Sequence, residues 1–253
     1  MKPANKVALI TGAGSGQGKA VAMLFANEGA AIAAVDIDEG AARQTAAEIA
    51  GLEGRSIALR ADVSQDQDCA AMVAATLERF GQIDVLYNNA GIEGDIKADA
   101  LSVENFDHVL AVNLRGAFLA MHYTIPHMVK RRSGVVINVS SIAAITAIPG
   151  PPGYAVSKAG LIALTRTTGV MYARDNIRIN CILPGPVDTP FYQRTTGAAA
   201  TASGQMFVAS PLGRPARPEE IAKVALFLAS DDATFAAARP FIIDGGWTTG
   251  SFS

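Results

Sequence analysis

Residues 7–29 read VALITGAGSGQGKAVAMLFANEG: an apolar run, four glycines at Gly12, Gly14, Gly16 and Gly18, then an apolar stretch of helix length. Glycine tolerates positive φ and lets backbone N–H groups approach an anion at a helix N-terminus, where the dipole favours negative charge. The strict dinucleotide spacing G-x-G-x-x-G fails, because Gln17 stands where it needs glycine. What is present is the longer turn Gly12-x-x-x-Gly16-x-Gly18, which alone is also compatible with a plain glycine-rich turn. Asp36, at the end of the next apolar run, sharpens the reading. An acid about 20 residues past such a loop accepts a hydrogen bond from a ribose 2′-hydroxyl and repels a 2′-phosphate. Neither Ser15 nor Ile37 brings a cation to offset that repulsion, so the expected cofactor is NAD, not NADP.

Outward from this unit the chain repeats its rhythm. Apolar, β-branched runs at 7–10, 31–36, 56–63, 83–88, 134–140, 177–183 and 240–244 alternate with Ala-rich stretches of helix length. Near-continuous apolarity in the strands predicts an α/β fold: a doubly wound, seven-stranded parallel sheet with helices on both faces. The 253 residues, half of them apolar, fit one domain spanning 1–253. A small-residue stretch at 195–204, inside a loop of about 188–216, reads as a mobile segment near a site.

The bulk numbers exclude some partners. A net charge of −2, with no basic run longer than Lys130–Arg132, offers no field for nucleic acid. No stretch reaches the roughly 20 apolar residues of a membrane span, and the N-terminal apolar run is too short for a signal peptide. Cys69 and Cys181 lie far apart in apolar segments, so the expectation is a reduced thiol pair in the cytoplasm. His122 and His127 are five apart with no Cys or carboxylate cluster beside them, and no metal site is expected.

The stretch GYAVSKAG, residues 153–160, places Tyr154 and Lys158 four apart, on one face of a helix. With TGAGSGQG, ADV, NNAG, Asn113, NVSS and PGPVDTP in this order, the chain resembles the short-chain dehydrogenase/reductase family from about Val7 to Trp247. The resemblance implies a Rossmann-type fold and gives roles to residues. Asn113, Ser141, Tyr154 and Lys158 match the catalytic four; Ser141 is thirteen residues before the tyrosine, and the adjacent Ser140 is expected to be structural. Cofactor contacts fall on Gly12, Ser15, Gly16, Gln17, Gly18, Asp36 and Ile37, on the adenine side at Asp62 and Val63, and at Asn88, Asn89, Ala90 and Gly91. Tyr154, Lys158, Pro184, Gly185, Val187 and Thr189 are expected around the nicotinamide.

By the same resemblance the substrate pocket takes Ser141, Ile142, Ala143, Ile148, Pro149, Tyr154, Pro184, Gly185, Phe191 and Tyr192, with Glu93 to Asp95 near its mouth and Arg194 as a candidate for a carboxylate. Most of these are apolar, so a secondary alcohol or ketone with a hydrophobic, possibly cyclic, body is expected, in a homotetramer. Tyr154 is expected to carry the proton, with its pKa lowered by Lys158 and by the charge of an oxidised nicotinamide. Asn113, expected within a helix, would hold a water linking Lys158 to solvent. Two places depart from the family pattern: Leu183 before the PG pair, and 235–239, FAAAR, where glycine is usual. A dinucleotide-sensing protein without catalysis is the alternative, though it has no need of Ser141, Tyr154 and Lys158 together. In enoyl reductases of the superfamily the tyrosine and lysine are more widely spaced, and an extended epimerase would have a longer C-terminal region.

Overall fold

The computed structural model describes residues 5–95, 101–148, 150–197 and 210–249. Strands β1 (Val7–Thr11), β2 (Ala31–Asp36), β3 (Ser56–Arg60), β4 (Val85–Asn88), β5 (Gly134–Val139), β6 (Ile177–Pro184) and β7 (Pro240–Ile243) form one sheet in the order β3-β2-β1-β4-β5-β6-β7. Every pairing is parallel. The helices are α1 (Gly16–Asn27), α2 (Glu39–Gly51), α3 (Asp66–Phe80), α4 (Val103–Leu110), α5 (Gly116–Arg131), α6 (Pro152–Tyr172), α7 (Pro190–Gly197) and α8 (Pro218–Ala229).

Alternation along the strands builds two cores. On β1, Ala8 and Ile10 face one side, with Val21, Ala22 and Phe25 of α1 and Ile221, Ala225 and Leu228 of α8. Leu9 faces the other, with Met72 and Val73 of α3 and Leu119, Met121 and Met128 of α5. All these side chains are essentially removed from water, each contributing about 1.5–3 kcal/mol if large. Strands apolar on both faces are what a sheet covered on both sides requires.

The strand order reverses between β1 and β4, which leaves a crevice at their carboxyl ends, the place where open α/β sheets bind ligands. Six strands differ at an end from the sequence reading: β1 runs on to Thr11 and β6 to Pro184, while β3 stops at Arg60, β4 starts at Val85, β5 stops at Val139 and β7 at Ile243. For β3 the cause is local. The Asp62 N–H donates to the Asp68 carboxylate at 2.9 Å, and Asp62 accepts from the Ser64 N–H and hydroxyl, so side chains replace the ladder there. Residues 195–197, read as part of a mobile segment, complete α7; the rest of 195–204 and Pro149 lie outside the described residues.

Candidate active site

The cradle is built by close backbone approach. A Cβ on Gly18 would stand 2.0 Å from the Gly12 carbonyl oxygen, and one on Gly12, at φ +65°, would stand 2.7 Å from Asn89 Nδ2. Asn89 locks the turn, donating from Nδ2 to the Thr11 and Gly12 carbonyls at 3.1 Å each. The Thr11 hydroxyl oxygen accepts from the Asn89 and Ala90 N–H groups, both at 3.1 Å, joining the ends of β1 and β4. Asp36 closes the far side: its carboxylate accepts from the Gly14 N–H at 2.9 Å and the Asp38 N–H at 3.0 Å.

Two cavities of about 370 and 410 Å³ open above these strand ends. The first is lined by Gly12, Ser15, Gly16, Gln17, Asp36 and Ile37, by Asp62, Val63, Asn89, Ala90 and Gly91, and by Tyr154, Lys158 and Thr189. Gly18 is not on its wall; its place under Gly12 makes the turn possible. Pro184, Gly185 and Val187 line the second cavity instead of the first, because β6 ends on that side. Asn88 is buried behind both, donating to Asn138 Oδ1 at 2.9 Å, so it does not close the crevice as the sequence suggests.

The second cavity takes Ser141, Ile142, Ala143, Ile148, Tyr154, Gly185, Phe191 and Tyr192, with Pro184 in its wall and Glu93 beside them. Asp95 is not in its wall; its N–H donates to Asn105 Oδ1 at 2.9 Å. Gln17, Ser140, Tyr154, Thr189 and Phe191 line both cavities, so the Tyr154 phenol stands at the junction.

Tyr154 and Lys158 share a face of α6, and Lys158 Nζ lies 5.5 Å from the Tyr154 ring centroid. Lys158 is 4% exposed and donates to the Val139 carbonyl at 2.9 Å. Burial disfavours its charge and pulls its pKa down to about 8. Burial likewise pushes the Tyr154 phenol up to about 12, against a hydrogen bond with Ser141 that lowers it; Glu93 raises it further. In the chain alone desolvation is the largest influence on the phenol, so the lowering expected from Lys158 together with an oxidised nicotinamide would have to come with the cofactor bound.

Ser140 serves the scaffold, donating to the Lys158 carbonyl at 2.7 Å, whereas Ser141 opens into the second cavity and caps the 3-10 turn Ile142–Ala144. Asn113 lies in a π-helical turn, Ala111–Arg115, between α4 and α5, and reaches neither cavity. Its Oδ1 accepts from the Ile92 N–H at 2.8 Å, and its Nδ2 donates to the Ile92 carbonyl at 2.8 Å and to Ser157 Oγ at 3.1 Å. The side chain thus pins the segment after β4 to α6.

Several lining residues escaped the sequence reading: Ile92, His108 and Val112 in the first cavity, Trp247 and Pro186 in the second. Pro186 lies inside the PGPVDTP stretch and Ile92 directly follows NNAG, so local signals were present for these two; His108, Val112 and Trp247 arrive from α4, the segment after it and the segment after β7, which only the tertiary fold brings together. Arg194, considered for the substrate, lines the first cavity, on α7.

The first cavity suits a nicotinamide dinucleotide on three structural grounds. Its glycine turn leaves no room for a Cβ, its far end carries a carboxylate, and Gln17 Oε1 is buried there without a hydrogen-bond partner among the described residues. Among the described residues no helix is long and apolar enough to cross a membrane.

Comparison with known proteins agrees with this architecture. Residues 12–248 match the family model described as enoyl-(acyl carrier protein) reductase. The cyclohexanol dehydrogenase of Acinetobacter sp. (strain SE19) is 38% identical over 246 residues, 97% of this chain and 96% of that protein. The 3-oxoacyl-(acyl-carrier-protein) reductase FabG of Thermotoga maritima is 40% identical over 247 residues, 97% of this chain and 99% of that protein. The crystal structure of levodione reductase superposes with a TM-score of 0.94 at 37% identity, over 98% of this chain and 99% of that one. With its parallel seven-stranded sheet and these full-length relatives, the chain belongs to the short-chain dehydrogenase/reductase family of nicotinamide-dependent oxidoreductases.

Proposed function

We propose that the chain is an NAD(H)-dependent oxidoreductase that interconverts a hydrophobic, cyclic secondary alcohol and its ketone. The observation that carries this reading is the place of the Tyr154 phenol, at the junction of the two cavities with Ser141 on the same apolar wall. In the first cavity Gly12, Gly16 and the N-terminus of α1 would hold the pyrophosphate, and Asp36 the adenosine ribose. The cofactor, when bound, supplies or accepts hydride and in its oxidised form brings a positive charge.

Tyr154 gives its proton to the carbonyl oxygen during reduction and takes one from the alcohol during oxidation. General acid–base catalysis of this kind contributes roughly 10²–10⁴-fold. Ser141 donates to the same oxygen as negative charge develops there. Lys158 holds the cofactor ribose and favours the phenolate. Asn113 keeps α6 in register with the segment after β4, and its π-helical turn would hold the water linking Lys158 to solvent.

NAD over NADP is supported by the Asp36 carboxylate in the first cavity. Arg60, its register partner on β3, points its guanidinium toward Asp68 at 3.8 Å. A cyclic substrate is supported by the apolar lining from Ile142, Ile148, Phe191 and Trp247 and by the names of two relatives, cyclohexanol dehydrogenase and levodione reductase. The four-residue spacing of Tyr154 and Lys158 favours carbonyl over enoyl reduction, whatever the matching family model is called.

The same reading includes one domain over 1–253, a location in the cytoplasm and a homotetramer. Exposed apolar side chains support the assembly: Val103, Phe118, Val170 and Met171 on α4 to α6, Phe227 on α8 and Ile242 on the edge strand β7. Sedimentation showing only monomer at micromolar concentration would remove it.

The test is a spectrophotometric screen for NADH or NADPH formation with cyclic and linear secondary alcohols, run beside Tyr154→Phe. Turnover of one class with NAD, falling by orders of magnitude in Tyr154→Phe while NADH affinity stays within a few-fold, is the expected result. Tight NADH binding with no turnover in either direction would favour a non-catalytic dinucleotide sensor.

A further inference from the structure

We propose, resting on the reading of the first cavity as a nicotinamide site, that Gln17 Oε1 accepts a hydrogen bond from the carboxamide NH₂ of the cofactor's nicotinamide. Gln17 is the second residue of α1 and lines both cavities. Its Oε1 is buried and finds no donor among the described residues. A buried acceptor left without a donor is costly and rare in folded proteins, and the cost is offset when a ligand brings the donor.

The neighbours at the junction narrow down that donor. Gly16 packs so closely on Thr189 that a Cβ there would lie 3.2 Å from Thr189 Cγ2, which sets Gln17 beside Thr189. The Thr189 hydroxyl already donates to the Val187 carbonyl and accepts from the Tyr192 N–H, each at 3.2 Å. The Ser140 hydroxyl is spent on the Lys158 carbonyl at 2.7 Å. A ketone substrate has no proton on its reacting oxygen, and an alcohol commits its single one to Tyr154. A carboxamide brings two N–H donors, and Gln17 Oε1 is a buried acceptor at the junction that no described residue occupies. The site so built reads the donor end of the amide as well as its shape.

The test compares NADH with the reduced 3-acetylpyridine analogue, in which a methyl replaces NH₂ and the carbonyl is kept. Dissociation constants for both are measured by fluorescence titration on the wild-type chain and on Gln17→Met, together with the melting temperature of each protein without cofactor. Wild type is expected to bind NADH about tenfold more tightly than the analogue. Gln17→Met is expected to bind the two alike, with an unlowered melting temperature, since it removes a stranded polar atom and keeps the side-chain length. Full discrimination in Gln17→Met overturns the contact. So does equal binding by wild type, and so does an equal loss of both ligands in Gln17→Met, which would mean that the Gln17 amide donates to the carbonyl instead. If wild type binds no NADH at all, the reading of the cavity fails and the contact falls with it.

Discussion

Lys158 holds its Nζ over the Tyr154 ring, 5.5 Å from the centroid, and donates to the Val139 carbonyl at 2.9 Å. Burial moves the two groups in opposite directions, the amine down to about 8 and the phenol up to about 12. Under the proposed function the phenol therefore starts as an acid and would become a base only when further positive charge reaches the crevice.

This gives the two reaction directions different pH dependence. With NADH bound, reduction needs the protonated phenol, so kcat/KM for a ketone is expected to stay flat from about pH 6 to pH 9. Oxidation needs the phenolate, so kcat/KM for the alcohol is expected to rise with pH over the same range. Profiles that rise together would mean that Tyr154 is not the proton carrier.

Lys158 also makes a stability prediction. Its folded pKa lies below its unfolded value, so between about pH 8 and 10.5 the unfolded chain binds more protons and stability rises with pH. Below that window the full cost of the buried charge is present. Lys158→Met removes both the cost and the titration. The melting temperature of the cofactor-free wild type is expected to gain on that of Lys158→Met by a few degrees from pH 7 to pH 10. A constant gap would show that burial does not depress the amine.

Asp36→Asn keeps an acceptor for the Gly14 N–H while removing the charge. Like charges about 4 Å apart near a protein surface repel by up to about 4 kcal/mol, less where water screens them. The ratio of kcat/KM for NADP to that for NAD is expected to rise at least about tenfold. An unchanged ratio would detach cofactor choice from this carboxylate.

Strands and glycine turn were legible because both are local: an apolar run and a loop that tolerates no Cβ are written in consecutive residues. Tyr154 and Lys158 were legible through helical spacing. What the chain does not spell out locally is what distant elements bring. The His108 side chain enters the first cavity from α4, and Trp247 enters the second from beyond β7. Burial of Tyr154, which raises its pKa in the chain alone, is likewise a property of the closed fold. Asn113 was expected in a helix, and only the structure shows the π-helical turn that aims its side chain at Ile92.

The departure at 235–239 leads to the last prediction. Leu183, the other unusual residue, is fully buried with Ile162 and Cys181 and needs no adjustment. Ala238, however, has φ +57°, a left-handed conformation, while its N–H is held by the Ile179 carbonyl at 2.8 Å. That conformation costs a residue with a Cβ about 1–2 kcal/mol. Glycine removes the cost but adds about 0.4–1 kcal/mol of unfolded-state entropy. The Ala238 methyl packs on Gly169, where an added Cβ would lie only 2.8 Å away, so its own packing is no more than that of one methyl group. The balance favours glycine, so Ala238→Gly is expected to raise the melting temperature by about 1–4 °C without changing turnover. Differential scanning calorimetry decides it; a lower melting temperature would mean that Ala238 contributes packing worth more than its backbone strain.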